Sequence, residues 1–314
     1  MRVLFWGTSK FGVRSLEMIY QKGYELIGVV TSLEKPSGRG LKMQPSPIEI
    51  TAKKFNLRIF KPENPNSNEF YEILRNENID ICVLVAYGFI IKPLILSLPA
   101  KGFVNLHPSL LPKYRGAAPI QRAIIQGEKK TGVTTFFMNE KMDAGPIILQ
   151  SETEIGINET YDELSARLSE LGAEILLQTL NLIKENKVSV SLQDENRVTY
   201  AHKIKKDECL INWNSGAKEL HNLIRGLSSE PGAWTYFRNR IVKILRTELV
   251  TDMDMDLTGC SPGEIIPNKK SLLVATKDGI LKILMLKIEG GKIISGLDFI
   301  NGQRVRPKES FGIK

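Results

Sequence analysis

Four short apolar runs, Val3–Trp6, Leu26–Thr31, Ile81–Ala86 and Gly102–Leu106, constrain this chain more than any other feature. Each is too short for a buried helix and is read as a buried strand. Between them, Phe11–Gln21 and Phe70–Arg75 carry apolar residues at helical spacing. Strands that alternate with helices predict an α/β domain with a largely parallel sheet and right-handed crossovers. Active sites in such sheets gather at the carboxyl ends of the strands. Val133–Met138 and Ile147–Gln150 read as further strands, and Tyr161–Lys184 as a long amphipathic helix. Its stripe of Tyr161, Leu164, Leu168, Leu171, Ile175 and Leu176 is core rather than a cofactor box.

The pattern changes after Asn186–Lys206, a polar stretch read as a surface linker. Ala217–Arg225 is expected to be a helix. Trp234–Phe237, Ile241–Leu245, Gly263–Ile266, Leu272–Ala275 and Ile280–Leu286 follow as short strands between Gly, Asn and Pro turns. Strands at this spacing suggest a small β-barrel, and an OB-like one commonly binds nucleic acids. A chain of 314 residues favours two domains. The expected division is 1–188, a linker at 189–207, and 208–314, without internal repeats.

The charge fits this division. Lys and Arg number 43 against 35 Asp and Glu, a net +8, which suits a polyanionic partner such as RNA. Residues 209–314 hold 16 of these bases against 11 acids, a basic face rather than a basic tail. Cys82, Cys209 and Cys260 form no CxxC pair and no metal-ligand pattern with the three histidines. Reduced thiols, and therefore a reducing compartment, are expected. The first apolar run stops at Gly7, too short for a signal peptide, and no run reaches the length of a membrane span.

Gly7-Thr-Ser-Lys-Phe-Gly12 sits between a strand and a helix and invites a nucleotide-binding reading. Ser9 stands where a dinucleotide fingerprint needs its second glycine. Val13-Arg14 stands where a P-loop needs Lys-Ser or Lys-Thr. The segment is read as a tight turn, with Ser9 as a helix cap.

The segment that carries chemistry is Asn105-Leu-His107-Pro-Ser109-Leu110-Leu111-Pro112. On an extended chain Asn105 and His107 share one face. An amide donor beside an imidazole can hydrogen-bond a developing oxyanion and shuttle a proton. The segment runs on into Lys113-Tyr-Arg-Gly-Ala-Ala-Pro-Ile-Gln121. Lys141-Met-Asp143-Ala-Gly145 follows, and Pro36-Ser-Gly-Arg39-Gly-Leu-Lys-Met-Gln-Pro-Ser-Pro47 lies upstream. At these residues, and at Thr199-Tyr-Ala-His-Lys-Ile and Pro231-Gly-Ala-Trp234, the chain resembles the methionyl-tRNA formyltransferase family nearly end to end.

That resemblance implies a Rossmann-like formyltransferase domain, an OB-type barrel that binds tRNA, and 10-formyltetrahydrofolate as formyl donor. Asn105, His107 and Asp143 fall on the family's catalytic positions. Ser109, Leu110, Leu111 and Pro112 match its folate-binding stretch, and the turn with Ala86, Gly88 and Ile90 looks like another wall of that pocket. Arg39 falls in the tRNA-contacting loop. With Lys42 nearby and Gly38 and Gly40 on either side, the loop is expected to be disordered until it closes over the tRNA 3′ end. Arg238, Arg240, Lys243 and Arg246 are the barrel's candidates for RNA contact. Pro108 departs from relatives, which often carry Gly there, and Ala144-Gly145-Pro146 falls on a variable stretch. The expectation is a monomeric cytoplasmic enzyme that needs no metal and acts on methionyl initiator tRNA. A formyltransferase acting on a small amine, such as glycinamide ribonucleotide or an amino sugar, is the nearest rival. A non-enzymatic RNA-binding protein is a third reading, opposed by the intact Asn105, His107 and Asp143.

Overall fold

The computed structural model describes residues 1–37, 42–250, 259–266, 268 and 270–312. Packing separates two units. The first comprises Met1–Pro119, Lys130–Glu154 and Ser165–His202, and the second Ile120–Lys129, Ile155–Leu164 and Lys203–Lys314. The second unit therefore draws two segments from within the span expected to form the first domain, and the first keeps much of the stretch read as a linker.

In chain order the first half contains β1 (Arg2–Gly7), α1 (Val13–Gln21), β2 (Glu25–Val30), β3 (Lys35–Ser37) and β4 (Lys42–Gln44). Next come α2 (Pro47–Lys54), β5 (Ile59–Phe60), α3 (Asn68–Arg75), β6 (Ile81–Val85), α4 (Pro93–Leu96) and β7 (Phe103–His107). Then follow α5 (Pro119–Ile125), β8 (Lys130–Phe137), β9 (Ile147–Glu154) and α6 (Tyr161–Lys184). The main sheet has the order β5-β2-β1-β6-β7-β8-β9. Its first five strands pair in parallel, and β8 and β9 extend one side of it antiparallel. Strand order reverses between β1 and β6, and the carboxyl ends of strands at such a reversal are the usual ligand position in these sheets. Thr8 ties the two strand ends together, its N–H donating to the Ala86 carbonyl at 3.3 Å and its hydroxyl to the Tyr87 carbonyl at 3.2 Å.

Alternation along β1 explains how the sheet is covered. Leu4 and Trp6 point into one core, where Trp6 meets Tyr87 edge-on at 5.3 Å and Phe70 at 5.9 Å. Val3 and Phe5, on the opposite face, are equally buried. Ser46 caps α2 through the Glu49 N–H at 3.0 Å, and Ser67 caps α3 through the Phe70 N–H at 3.2 Å. Ser9 makes no such cap bond, because a short 3₁₀ turn, Lys10–Gly12, intervenes before α1. The loop Lys35–Met43, expected to be disordered in the free protein, instead begins and ends in a two-stranded antiparallel ribbon, β3 with β4. Gly38, Arg39 and Gly40, and the closing-loop idea that depends on them, lie outside the described residues.

The second unit continues with α7 (Ala217–Leu227), β10 (Ala233–Phe237), β11 (Arg240–Leu249), β12 (Ile265–Ile266) and β13 (Leu272–Ala275). It ends with β14 (Ile280–Ile288), β15 (Ile293–Ser295) and α8 (Gly296–Gln303). The antiparallel order is β10-β11-β14-β13-β12. Long β14 pairs β11 on one side, while its two halves pair β13 and β15 on the other. Register breaks near Arg246 bend β11, giving a half-barrel. Leu220, Ile224 and Leu227 of α7, at helical spacing, fill it against Ala233, Val242 and Ile244. Among the described residues no helix is long and apolar enough to cross a membrane.

A buried polar bolt fixes segment 155–164 to α7. Arg225 donates to the carbonyls of Gly156 at 2.9 Å and Glu159 at 3.1 Å, and His221 Nε2 donates to that of Ile157 at 3.0 Å. His221 Nδ1 lies 2.8 Å from the Thr247 hydroxyl and accepts its hydrogen in the neutral ring. Burial holds the His221 pKa below the ordinary histidine value. Its contribution to stability is thus present above the unfolded value of about 6.5 and is lost as pH falls through the lower folded value. Between pH 7 and pH 5 the thermal midpoint of wild type is expected to fall further than that of His221→Gln, by roughly 2–4 °C. Equal falls measured by scanning calorimetry would remove His221 from the acid response.

Candidate active site

β7 delivers the first two candidates. Asn105 and His107 alternate outward on the same face, while Leu106 between them is buried on the other side, beneath Gly172 of α6. Asn105 is half-buried, and its amide makes no hydrogen bond to another described residue. It is thus an unspent donor at the strand's carboxyl end. His107 is only 5% exposed, and its Nε2 lies 2.9 Å from the Tyr114 carbonyl oxygen. A carbonyl only accepts, so Nε2 carries the hydrogen and Nδ1 is left facing the Asp143 Oδ2, 3.7 Å away. That separation exceeds a hydrogen bond.

Asp143 reaches this place from the turn after β8. Its carboxylate accepts the Gly116 N–H at 2.8 Å, and its backbone adopts a left-handed φ of +51°. Tyr114, whose carbonyl holds His107, is also left-handed at +61°, and Ala86, beyond β6, at +50°. Non-glycine residues pay for this conformation and keep it where surrounding structure demands it. Two glycines allow the close packing: a Cβ at Gly145 would lie 1.7 Å from the Phe137 carbonyl oxygen, and one at Gly116 2.8 Å from that of Ala201.

The proposed folate residues divide into two groups. Ala86, Gly88 and Ile90 stand exposed beyond β6, with Ile90 at 71% and its carbonyl fixed by the Asn66 amide at 2.9 Å. Ser109 and Leu111 are buried and brace their own loop. The Ser109 hydroxyl donates to the Lys113 carbonyl at 2.7 Å, and Gln150 donates to the Leu111 carbonyl at 2.8 Å. Leu110 and Pro112 are half-buried, and the Leu111–Pro112 peptide is cis.

In the second unit, three of the four basic candidates are already engaged. Arg238 forks onto Glu309 with both bonds at 2.8 Å, Arg246 pairs with Glu163 at 3.0 Å, and Lys243 donates to the Pro231 carbonyl at 2.6 Å. Arg240 is exposed at the start of β11. Arg39 and the Lys42 side chain lie outside the described residues.

The bracing of the site by residues 191–201 was not foreseen, although Thr199–Ala201 belong to a stretch that carries the family resemblance. Residues 191–201 run across the loop that follows His107 and the loop that carries Asp143. Ser191 exchanges backbone bonds of 2.8 and 2.9 Å with Ile147, and Thr199 accepts from the Arg115 N–H at 2.9 Å through its carbonyl and from the Tyr114 N–H at 2.8 Å through its hydroxyl. Arg115, 3% exposed, forks onto Gln193 and Glu195, and its guanidinium lowers the Glu195 pKa. The segment is polar and without periodicity, so spacing held no signal for Gln193. Among the described residues no cluster of three or more His, Cys, Asp or Glu is placed to hold a metal ion.

Comparisons with known proteins agree over the whole chain. The family model described as formyl transferase matches residues 1–180, and the one described as formyl transferase, C-terminal domain, matches residues 203–304. A methionyl-tRNA formyltransferase of Fusobacterium nucleatum is 41% identical, with 96% of this chain and 97% of the relative covered. One of Thermodesulfovibrio yellowstonii is 39% identical, with 96% of each covered. Among solved structures, the sugar 3N-formyl transferase WlaRD, determined with dTDP and 5-N-formyl-THF, superposes with a TM-score of 0.68 at 22% identity, covering 93% of this chain and 99% of its own. HypX of Aquifex aeolicus in complex with tetrahydrofolic acid has a TM-score of 0.68 at 16% identity, covering all of this chain and 49% of its own. At these identities both superpositions speak to the fold.

Proposed function

We infer the activity from one premise: this chain belongs to the methionyl-tRNA formyltransferase family. It is an enzyme that transfers the formyl group of 10-formyltetrahydrofolate to the α-amino group of methionyl initiator tRNA. The geometric observation that carries this reading is the unspent Asn105 amide on the strand face that also presents His107, with Asp143 3.7 Å from that imidazole.

The chemistry is an acyl transfer. The neutral amine attacks the formyl carbon on N10 of the folate, and the carbonyl oxygen gains charge in a tetrahedral adduct. The Asn105 N–H is the donor for that oxygen. Asp143 accepts the proton the amine sheds, directly or through His107 Nδ1, and returns it to N10 of the folate as the adduct collapses and the C–N10 bond breaks, leaving tetrahydrofolate neutral at N10 and the enzyme unchanged. The activated donor makes an enzyme nucleophile unnecessary. For the folate we propose a cleft between the exposed Ala86–Ile90 turn and the half-buried Leu110 and Pro112. Buried Ser109 and Leu111 would support it through the backbone. Residues 1–188 would carry the chemistry and residues 208–314 the RNA, with Arg39, Lys42, Arg238, Arg240, Lys243 and Arg246 as contacts. Three of those barrel cations would exchange an internal partner for phosphate, whereas Arg240 would not.

The deciding assay incubates the protein with 10-formyltetrahydrofolate and methionyl-tRNA and measures formylmethionine. Formylation of a nucleotide-linked amino sugar and not of methionyl-tRNA would favour the rival substrate. Affinity for tRNA is expected to fall linearly with salt on logarithmic axes, with slope about 0.7–0.9 per phosphate neutralised. Arg240→Ala should lower that slope by about one phosphate; an unchanged slope would place Arg240 outside the interface.

A further inference from the structure

We propose that Gln193 is a positioning residue for this reaction, setting through the backbone of the 143–145 turn where the Asp143 carboxylate meets His107. The proposal rests on the formyl-transfer reading above. Gln193 spends both amide hydrogens on that turn, donating to the carbonyls of Asp143 and Gly145 at 2.8 Å each. Its carbonyl oxygen accepts from Arg115 Nε at 3.0 Å and Nη2 at 2.8 Å. Flipping the amide would set N–H against guanidinium and oxygen against two carbonyls, so its orientation is determined by its partners.

Arg115 is the right anchor for this task. It lies between Tyr114, whose carbonyl holds His107 Nε2 at 2.9 Å, and Gly116, whose N–H holds Asp143 Oδ2 at 2.8 Å. Its guanidinium is buried, and Glu195 balances its charge at 2.9 Å. The contacts close a ring: His107 to Tyr114, along the chain to Arg115, across to Gln193, then to the Asp143 backbone, and from its carboxylate back to His107. Asp143 sits in that ring at φ +51°, a conformation that a non-glycine residue keeps where surrounding contacts hold it. Gln193 touches no reacting atom. It acts through Asp143, and a shift of the carboxylate by an ångström is enough to slow the chemical step.

The test uses the full chain. Gln193→Ala deletes the amide, and Gln193→Glu keeps its size while replacing the donor with a carboxylate that repels both carbonyls. In each, kcat is expected to fall ~10–100-fold, with KM for methionyl-tRNA and folate within about twofold of wild type. Leu192→Ala, one residue away and 87% exposed, should leave both unchanged. In an Asp143→Asn background, Gln193→Ala should cost less than about a further twofold, because its effect passes through the carboxylate. With three histidines in the chain, ¹⁵N imidazole spectra resolve His107, and its Nδ1 signal should move in both Gln193 variants without substrate. An equal loss in both backgrounds, a loss carried by KM, or an unmoved His107 signal would each overturn the proposal. Failure of wild type to make formylmethionine would instead overturn the functional reading, and the imidazole spectra would still test the ring.

Discussion

Asn105→Ala is expected to lower kcat by ~10²–10³-fold, the usual loss when one oxyanion donor is removed. The structure gives grounds for a clean result. The Asn105 amide bonds to no other described residue and is half-buried, so truncation leaves no orphaned partner. Its backbone pairs with β6 and β8 through groups the substitution keeps. Thermal stability should therefore stay near wild type, and KM for the folate should change little. Asn105→Asp is expected to be at least as damaging, because a carboxylate offers no hydrogen and repels the developing charge. Near-wild-type turnover in Asn105→Ala, measured as formylmethionyl-tRNA formed per enzyme, would remove this residue from the mechanism.

His107→Ala and Asp143→Ala are each expected to cost ~10²–10³-fold in kcat, and the double variant little more than either alone, since the groups act as one unit. Asp143→Ala also deprives the Gly116 N–H of its acceptor, so it mixes chemistry with local structure. Asp143→Asn separates the two. It keeps an oxygen for Gly116, and asparagine tolerates the left-handed φ of +51° well. A fall as large as that of the alanine variant assigns the loss to the missing charge. Full activity in Asp143→Asn would show that the turn needs only a hydrogen-bond acceptor there and that proton transfer runs elsewhere. Multiplicative losses in the double variant would show that the two residues do not share a task.

The strands of the first sheet were legible because each is a short apolar run, and the alternation with helices implied their parallel pairing. β1, β2, β6 and β7 lie within a residue of where hydrophobicity sets them. Tyr161–Lys184 matches its helix end to end, because a long stripe leaves little freedom. Two-residue β5 and four-residue α4 were not legible, being too short for a period to show. α8 was missed although Ser295 and Asp298 form a capping box, a local signal that was available. The C-terminal strands were found through their turns, yet several extend beyond the apolar runs, as β11 does to Leu249, because pairing to β14 holds polar residues extended.

The sequence by itself determined the fold class, the two-part organisation and the polar face, Asn105 with His107, that β7 presents at its end. All three follow from local pattern: which residues must be buried, and which polar groups a strand presents on one face. Only the tertiary structure decided that Ile120–Lys129 and Ile155–Leu164 pack with the C-terminal unit, and that residues 191–201 fold across the loops after β7 and β8. Gln193 meets the Asp143 carbonyl 50 residues away and Arg115 78 residues away. Periodicity states that a residue is buried or exposed. It carries no information about which distant donor and acceptor will meet, because that choice is made when whole elements pack and each buried polar group takes the partner the packing brings within reach.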